Sequence, residues 1–136
     1  SASEHSSVIT LEGNVAIAEE AQKSFDALGK KNIQLLVGPF EHTLTQALQL
    51  LHPVDLIFFD GNHRKDATLH YYNAALQHSH EHSIFIFDDI HCSEEMKQAW
   101  NTIRNSSDVK MTIDIFHFGI VFFRRELSKQ HFILQF

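Results

Sequence analysis

Two apolar segments of the sequence each run into carboxylate and then histidine: Leu56-Ile57-Phe58-Phe59-Asp60-Gly61-Asn62-His63 and Ile84-Phe85-Ile86-Phe87-Asp88-Asp89-Ile90-His91. In each, the histidine follows the first aspartate by three residues. If the apolar runs are neighbouring strands, Asp60, Asp88 and Asp89 share one oxygen-rich pocket. Three carboxylates so close repel one another, and protons, a basic partner or a divalent cation must offset that. Mg²⁺ suits oxygen ligands and retained waters, whereas adding His63 or His91 favours Mn²⁺, Fe²⁺ or Zn²⁺. A lone strand-end Asp is ordinarily a helix cap; three of them with two histidines outweigh that reading. Two further segment ends are polar. Glu12 closes Val8-Ile9-Thr10-Leu11, where a carboxylate can accept both hydroxyls of a ribose, although a solvated Glu is equally common there. Gly38-Pro39-Phe40 closes Ile33–Val37: Gly38 lets backbone approach a flat ligand and Phe40 could cover an adenine face, although Gly-Pro is also an ordinary turn.

The elements that must position these residues alternate between two periods. Apolar runs at Val8–Leu11, Ile33–Val37, Val54–Phe59 and Ser83–Phe87 read as buried strands, and helical stripes separate them. Ala16, Ile17, Ala21, Phe25 and Leu28 form the first stripe, capped by Asn14 and stopped at Gly29. Leu44, Ala47, Leu48 and Leu51 form the second, ended before Pro53. Leu69, Tyr72 and Leu76 form the third, with Asp66 as its expected cap. Ser93, Glu94 and Glu95 open the fourth, which carries Met96, Ala99, Trp100 and Ile103. Beyond residue 109 the helices stop. Met111, Ile113 and Ile115 alternate, Phe118–Phe123 forms a second run near Gly119, and Phe132, Leu134 and Phe136 alternate again, so these runs should pair antiparallel. The expectation is an α/β fold: one Rossmann-like, mostly parallel open sheet with helices on both faces and a C-terminal antiparallel β-meander. Ligands of such sheets bind outside the carboxyl ends of the strands, where the polar residues above fall.

Composition narrows the function. The 136 residues make one domain by length, and the net charge of −6 argues against a nucleic-acid footprint, which needs a basic face. Cys92 is the single cysteine, so there is no disulfide framework or four-thiolate zinc site. No apolar run approaches a membrane span and no signal-peptide pattern is seen, which gives a cytoplasmic, membrane-free expectation. Eleven histidines are many for this length. His78, His80 and His82 alternate in a tract that reads as an exposed connection rather than a metal site, and His117 reads as surface. The Phe-rich end (Phe116, Phe118, Phe122, Phe123, Phe132, Phe136) exceeds what one sheet face buries, so a homodimer contact is expected there.

The order of strand ends, from Glu12 through Gly38-Pro39-Phe40 and Asp60-Gly61-Asn62-His63 to Asp88-Asp89-Ile90-His91, resembles class I S-adenosylmethionine-dependent methyltransferases. Its nearest likeness is the small O-methyltransferase-like branch with an Asp-Gly-x-His motif. The resemblance runs from about Val8 onward. It implies that Glu12 holds the cofactor ribose, that Gly38 and Phe40 border the adenine, and that Asp60 and Gly61 face the methionine end and the acceptor. It implies a divalent cation (Mg or Mn) at Asp60, Asp88 and Asp89, with His91 adjoining. Asp89 departs from the Asn often found at its position. His63 is then the general base for a small hydroxylated acceptor. The family opens with a central strand and a Gly-rich loop, yet only Ser1–Ser7 precede the first run here and hold no Gly. That first strand, expected between Val8–Leu11 and Val54–Phe59, would be missing from a single, N-terminally incomplete domain. Two other readings stay open: a non-catalytic methyltransferase-like module acting through oligomerisation or partner binding, and, ranked last, a metal-dependent hydrolase.

Overall fold

The computed structural model describes residues 5–135. They form an α/β structure whose chain divides into two compact units, Ser1–His52 and Pro53–Phe136. The first holds β1 (Val8–Glu12), α1 (Val15–Ala27), β2 (Ile33–Val37) and α2 (Phe40–Leu50). β1 and β2 are parallel, with Val8 opposite Ile33 and Glu12 opposite Val37. Asn14 caps α1 as expected, its side-chain oxygen accepting from the Ala16 and Ile17 amides. Gly29, at φ 63°, ends it, because the left-handed turn that lets Lys30 N–H reach Phe25 C=O suits a residue without Cβ. The α1 stripe differs from the sequence pattern. Ala18 is the buried residue, with Ala21 and Phe25 half-buried, whereas Ile17 and Leu28 face outward. Ala18, Ala21 and Phe25, at i, i+3 and i+7, thus make the inner face. In α2 the expected Ala47 and Leu48 are buried, together with Thr43, whose hydroxyl returns to Pro39 C=O.

The second unit holds β3 (Val54–Phe59), α3 (Lys65–Leu76), β4 (Ser79–Asp88), α4 (Glu94–Asn105), β5 (Met111–Asp114), β6 (Phe118–Phe122) and β7 (Gln130–Ile133). Its mixed sheet has the order β3-β4-β6-β5-β7. β3 and β4 are parallel, and β6 is antiparallel to both β4 and β5. The third C-terminal run departs from the meander: β7 pairs parallel to β5. Both edges of β6 are already taken by β4 and β5, so the returning chain passes over β5 to its free edge and runs in the same direction. On one face of the sheet Phe85, Phe87 and Val121 are buried against α3 and α4, which contribute Tyr72, Ala75, Met96, Ala99, Trp100 and Ile103. The other face carries half-buried Ile84, Ile86 and Ile120 and exposed Leu56 and Phe58. Of the Phe-rich end, Phe123 is buried, and Phe118 and Phe122 are half-buried. Phe116 and Phe132 are exposed, and Phe136 lies outside the described residues.

Two local expectations are corrected. α3 starts one residue before Asp66, after Arg64, and no local side chain caps it; Glu95 of α4 accepts the Lys65 amide instead, at 3.2 Å. A cap supplied 30 residues away leaves no local signature. The histidine tract is not a connection, because β4 begins at Ser79 and includes His80 and His82. Ser83 anchors that extension by donating to Val54 C=O and accepting from His80 N–H. No helix among the described residues is long and apolar enough to cross a membrane.

Gly119 on β6 lies under the buried Trp100 ring, and a Cβ placed there would sit 2.6 Å from two ring carbons. Gly119→Ala should therefore destabilise by about 1–3 kcal/mol through overpacking. Gly13→Ala, whose Cβ would meet its nearest neighbour at 3.8 Å, should cost far less. Chemical denaturation of the two variants checks this.

Candidate active site

The parallel register sets Phe59 of β3 opposite Phe87 of β4, and the two rings stack at 4.5 Å with an interplanar angle of 3°. The next residue on each strand, Asp60 and Asp88, consequently leaves the sheet at the same level. After Asp60 the chain turns at Gly61 and Asn62, whose φ of 51° is left-handed, and this brings His63 back over the strand end. Its Nε2 stands 3.6 Å from Asp60 Oδ1. One ligand atom each from Asp60, His63 and Asp88 lies within 4.8 Å of the others, the one such group of three found among the described residues. His63 Nε2 is buried without a hydrogen-bond partner, an atom suited to receive a proton or a cation.

The electrostatics follow from that crowding. Partial burial pushes the Asp88 carboxyl above the usual carboxylate range. A hydrogen bond with Asp60 and the charges of Asp60 and Asp89 push the same way, and a backbone hydrogen bond from Asp89 partly offsets them. Asp60 and Asp88 offer a small divalent cation two carboxylates, and the imidazole of His63 can either add a ligand, which favours Mn²⁺ over Mg²⁺, or take a proton.

The other expected residues divide into three groups. Glu12, Gly38 and Phe40 fall at one end of the β1–β2 pair. Gly38 N–H donates to Glu12 C=O at 3.0 Å, and Glu12 Oε1 accepts the Asn14 amide at 2.8 Å. Gly38 has φ 146°, a conformation that favours glycine, and Phe40 opens α2 half-buried. Gly61 adjoins Asp60. Asp89 and His91 point elsewhere: Asp89, with φ 52°, has Oδ1 4.0 Å from His117 Nδ1, and His91 Nε2 bonds Asp114 Oδ2 at 2.8 Å. Asp114 is the residue that sequence reasoning missed. It sits at a buried position of β5 together with Thr112, out of phase with apolar Met111, Ile113 and Ile115, so the sequence pattern carried no signal for it.

A family model described as a methyltransferase domain matches residues 2–90. The fold is similar to that of the SAH-bound methyltransferase PaMTH1 of Podospora anserina, at 17% identity and TM-score 0.74 over 88% of this chain and 61% of that one. It is similar to an O-methyltransferase from Bacillus cereus in complex with SAH, at 18% identity and TM-score 0.63 over 85% of this chain and 62% of that one. It is also similar to the O-methyltransferase TomG from Streptomyces achromogenes, involved in tomaymycin synthesis and in complex with SAM, at 18% identity and TM-score 0.67 over 87% and 62%. The chain thus spans about three fifths of the length of these structures. No curated protein matches the sequence.

Because the folded state raises the Asp88 pKa, ionising that carboxyl works against folding, and this penalty grows as pH rises through its folded-state value. Asp88→Asn should then stabilise the fold near neutral pH by about 0.5 kcal/mol, small because the group is only partly buried. The gain should vanish below the ordinary aspartate range, where both side chains are neutral. Denaturation midpoints across pH 3–8 (about the span of carboxylate titration) check this.

Proposed function

The chain belongs to the methyltransferase-domain family and has its Rossmann-like α/β fold, and from that premise we propose that it serves S-adenosylmethionine-dependent methylation of an oxygen on a small hydroxylated acceptor. The observation that carries this reading is the convergence of Asp60, His63 and Asp88, with His63 Nε2 left without a hydrogen bond. Methylated oxygens start as hydroxyls, so a site for this chemistry needs a group that takes a proton and a field that favours the alkoxide or phenolate.

S-adenosylmethionine, when bound, supplies an electrophilic methyl group that an acceptor oxygen attacks in line. In this reading Glu12 accepts the ribose hydroxyls; its backbone tie to Gly38 and its bond from Asn14 already fix the carboxylate at the β1 end. Gly38 and Phe40 border the adenine, and Asp60 and Gly61 face the methionine end. Asp60 and Asp88 would hold a divalent cation, with Asp89 adding negative charge nearby. A cation there lowers the pKa of an acceptor hydroxyl. His63 takes the proton, with the Asp60 carboxylate 3.6 Å from its Nε2.

Two measurements on the full-length protein test these roles. Glu12→Ala should weaken S-adenosylmethionine binding about 10- to 100-fold in calorimetry, the loss expected for hydrogen bonds to a charged acceptor; unchanged affinity contradicts the assignment. In a Mn²⁺ titration Asp88→Ala should abolish binding, while His63→Ala should leave it nearly intact and lower methyl transfer about 10²- to 10⁴-fold. An equal loss of Mn²⁺ in both variants would make His63 a ligand rather than the base.

A further inference from the structure

One buried carboxylate organises a second group at the same end of the sheet. Asp114, at the end of β5 and 5% exposed, uses both oxygens. Oδ2 accepts from His91 Nε2 at 2.8 Å, and Oδ1 accepts the Phe116 amide at 3.0 Å. Phe116 occupies the β5–β6 turn with φ 72°, an unusual conformation for an aromatic residue, and the residue is 65% exposed. The Asp114 bond holds the turn that displays it. The His91 and Phe116 rings face each other at 5.8 Å and 31°. They border a cavity of about 480 Å³ that Lys97, Asp114, Ile133 and Leu134 also line. That volume lies within the range of small-molecule sites.

The bond to Asp114 fixes the chemistry of His91. A carboxylate only accepts, so Nε2 carries a proton toward Asp114, and Nδ1 is the ring nitrogen left to a ligand, an acceptor in the neutral imidazole. In that neutral form His91 offers a ligand a hydrogen-bond acceptor, while Phe116, Ile133 and Leu134 offer apolar surface. A strained aromatic held outward beside an oriented imidazole is an arrangement that packing of the core does not require.

We propose that His91, positioned by Asp114, binds the hydroxyl of an apolar ring compound whose ring lies against Phe116, Ile133 and Leu134. Identifying that compound with the methyl acceptor rests on the methyl-transfer reading; the binding site does not. The hairpin that carries Phe116 also meets the loop after Asp88, since Ile90 N–H donates to His117 C=O at 3.4 Å. The subsite and the acidic cluster thus share one edge of the sheet.

The test compares 2-naphthol with 2-methoxynaphthalene, which has the same rings but no proton to donate, by NMR titration of the full-length protein. The wild type should bind 2-naphthol about tenfold more tightly, as expected for one hydrogen bond made in a partly desolvated site, with shifts centred on Phe116 and Ile133. His91→Phe should keep the affinity for the ether and bring the ratio close to one. A wild-type ratio near one, a ratio unchanged in His91→Phe, or shifts centred elsewhere would overturn the proposal. Imidazole ¹⁵N spectra of the wild type test the positioning role without altering buried Asp114: the Nε2–H tautomer is expected, and the Nδ1–H tautomer would overturn it. Calorimetry with S-adenosylmethionine on the same sample separates the two readings. Selective naphthol binding without cofactor binding would remove the methyl-transfer reading and support the subsite, whereas cofactor binding without naphthol selectivity would overturn the subsite alone.

Discussion

The pairing of β3 with β4 is the constraint on which the candidate site depends. Its register sets Phe59 against Phe87, and their stacked rings close the apolar layer immediately before Asp60 and Asp88. A slip of one residue would turn every side chain of β3 to the opposite face. Phe87 is itself held by Tyr72 of α3 and Trp100 of α4, so burial of aromatic surface fixes the level at which Asp60 and Asp88 emerge. The hydrophobic core thereby holds together two carboxylates that would otherwise separate.

Beyond that edge the chain works against its own preferences. Asn62 and Asp89 both take left-handed backbone conformations, which Asn and Asp tolerate better than other side chains do. Each turn sends its histidine to a different partner: His63 returns to Asp60, while His91 reaches Asp114. Similar sequences, Asp-Gly-Asn-His and Asp-Asp-Ile-His, therefore produce unlike environments. The first leaves a ring nitrogen without a hydrogen bond beside carboxylates, and the second fixes a tautomer. Crowded acid groups, a raised Asp88 pKa and local strain concentrate where the core requires none of them, the pattern expected of a functional edge.

Much of this was legible in the sequence because it is local. Periodicity located the strands and helices, Asn14 and Ser93 declared their helix starts, and the residue after each apolar run placed Glu12, Asp60 and Asp88 at strand ends. What was not legible depends on partners distant in the chain. Glu95 caps α3 from another helix, β7 joins the sheet parallel because both edges of β6 are occupied, and His91 is claimed by Asp114 from β5. His80 and His82 read as a polar connection because nothing local announces that Ser83 will tie that stretch to Val54. The resemblance that joined the separate strand ends came from their order, which no single residue carries.

In the proposed function, the ends of β3 and β4 form a reactive, cation-competent centre. Paramagnetic broadening of backbone amide signals by Mn²⁺ tests it most directly, because the effect falls steeply with distance from the ion. Selective loss of signal is expected at Gly61–His63 and Asp88–Asp89, with the His80–His82 segment retained. Broadening centred on His80–His82, or none at the β3 and β4 ends, would contradict it.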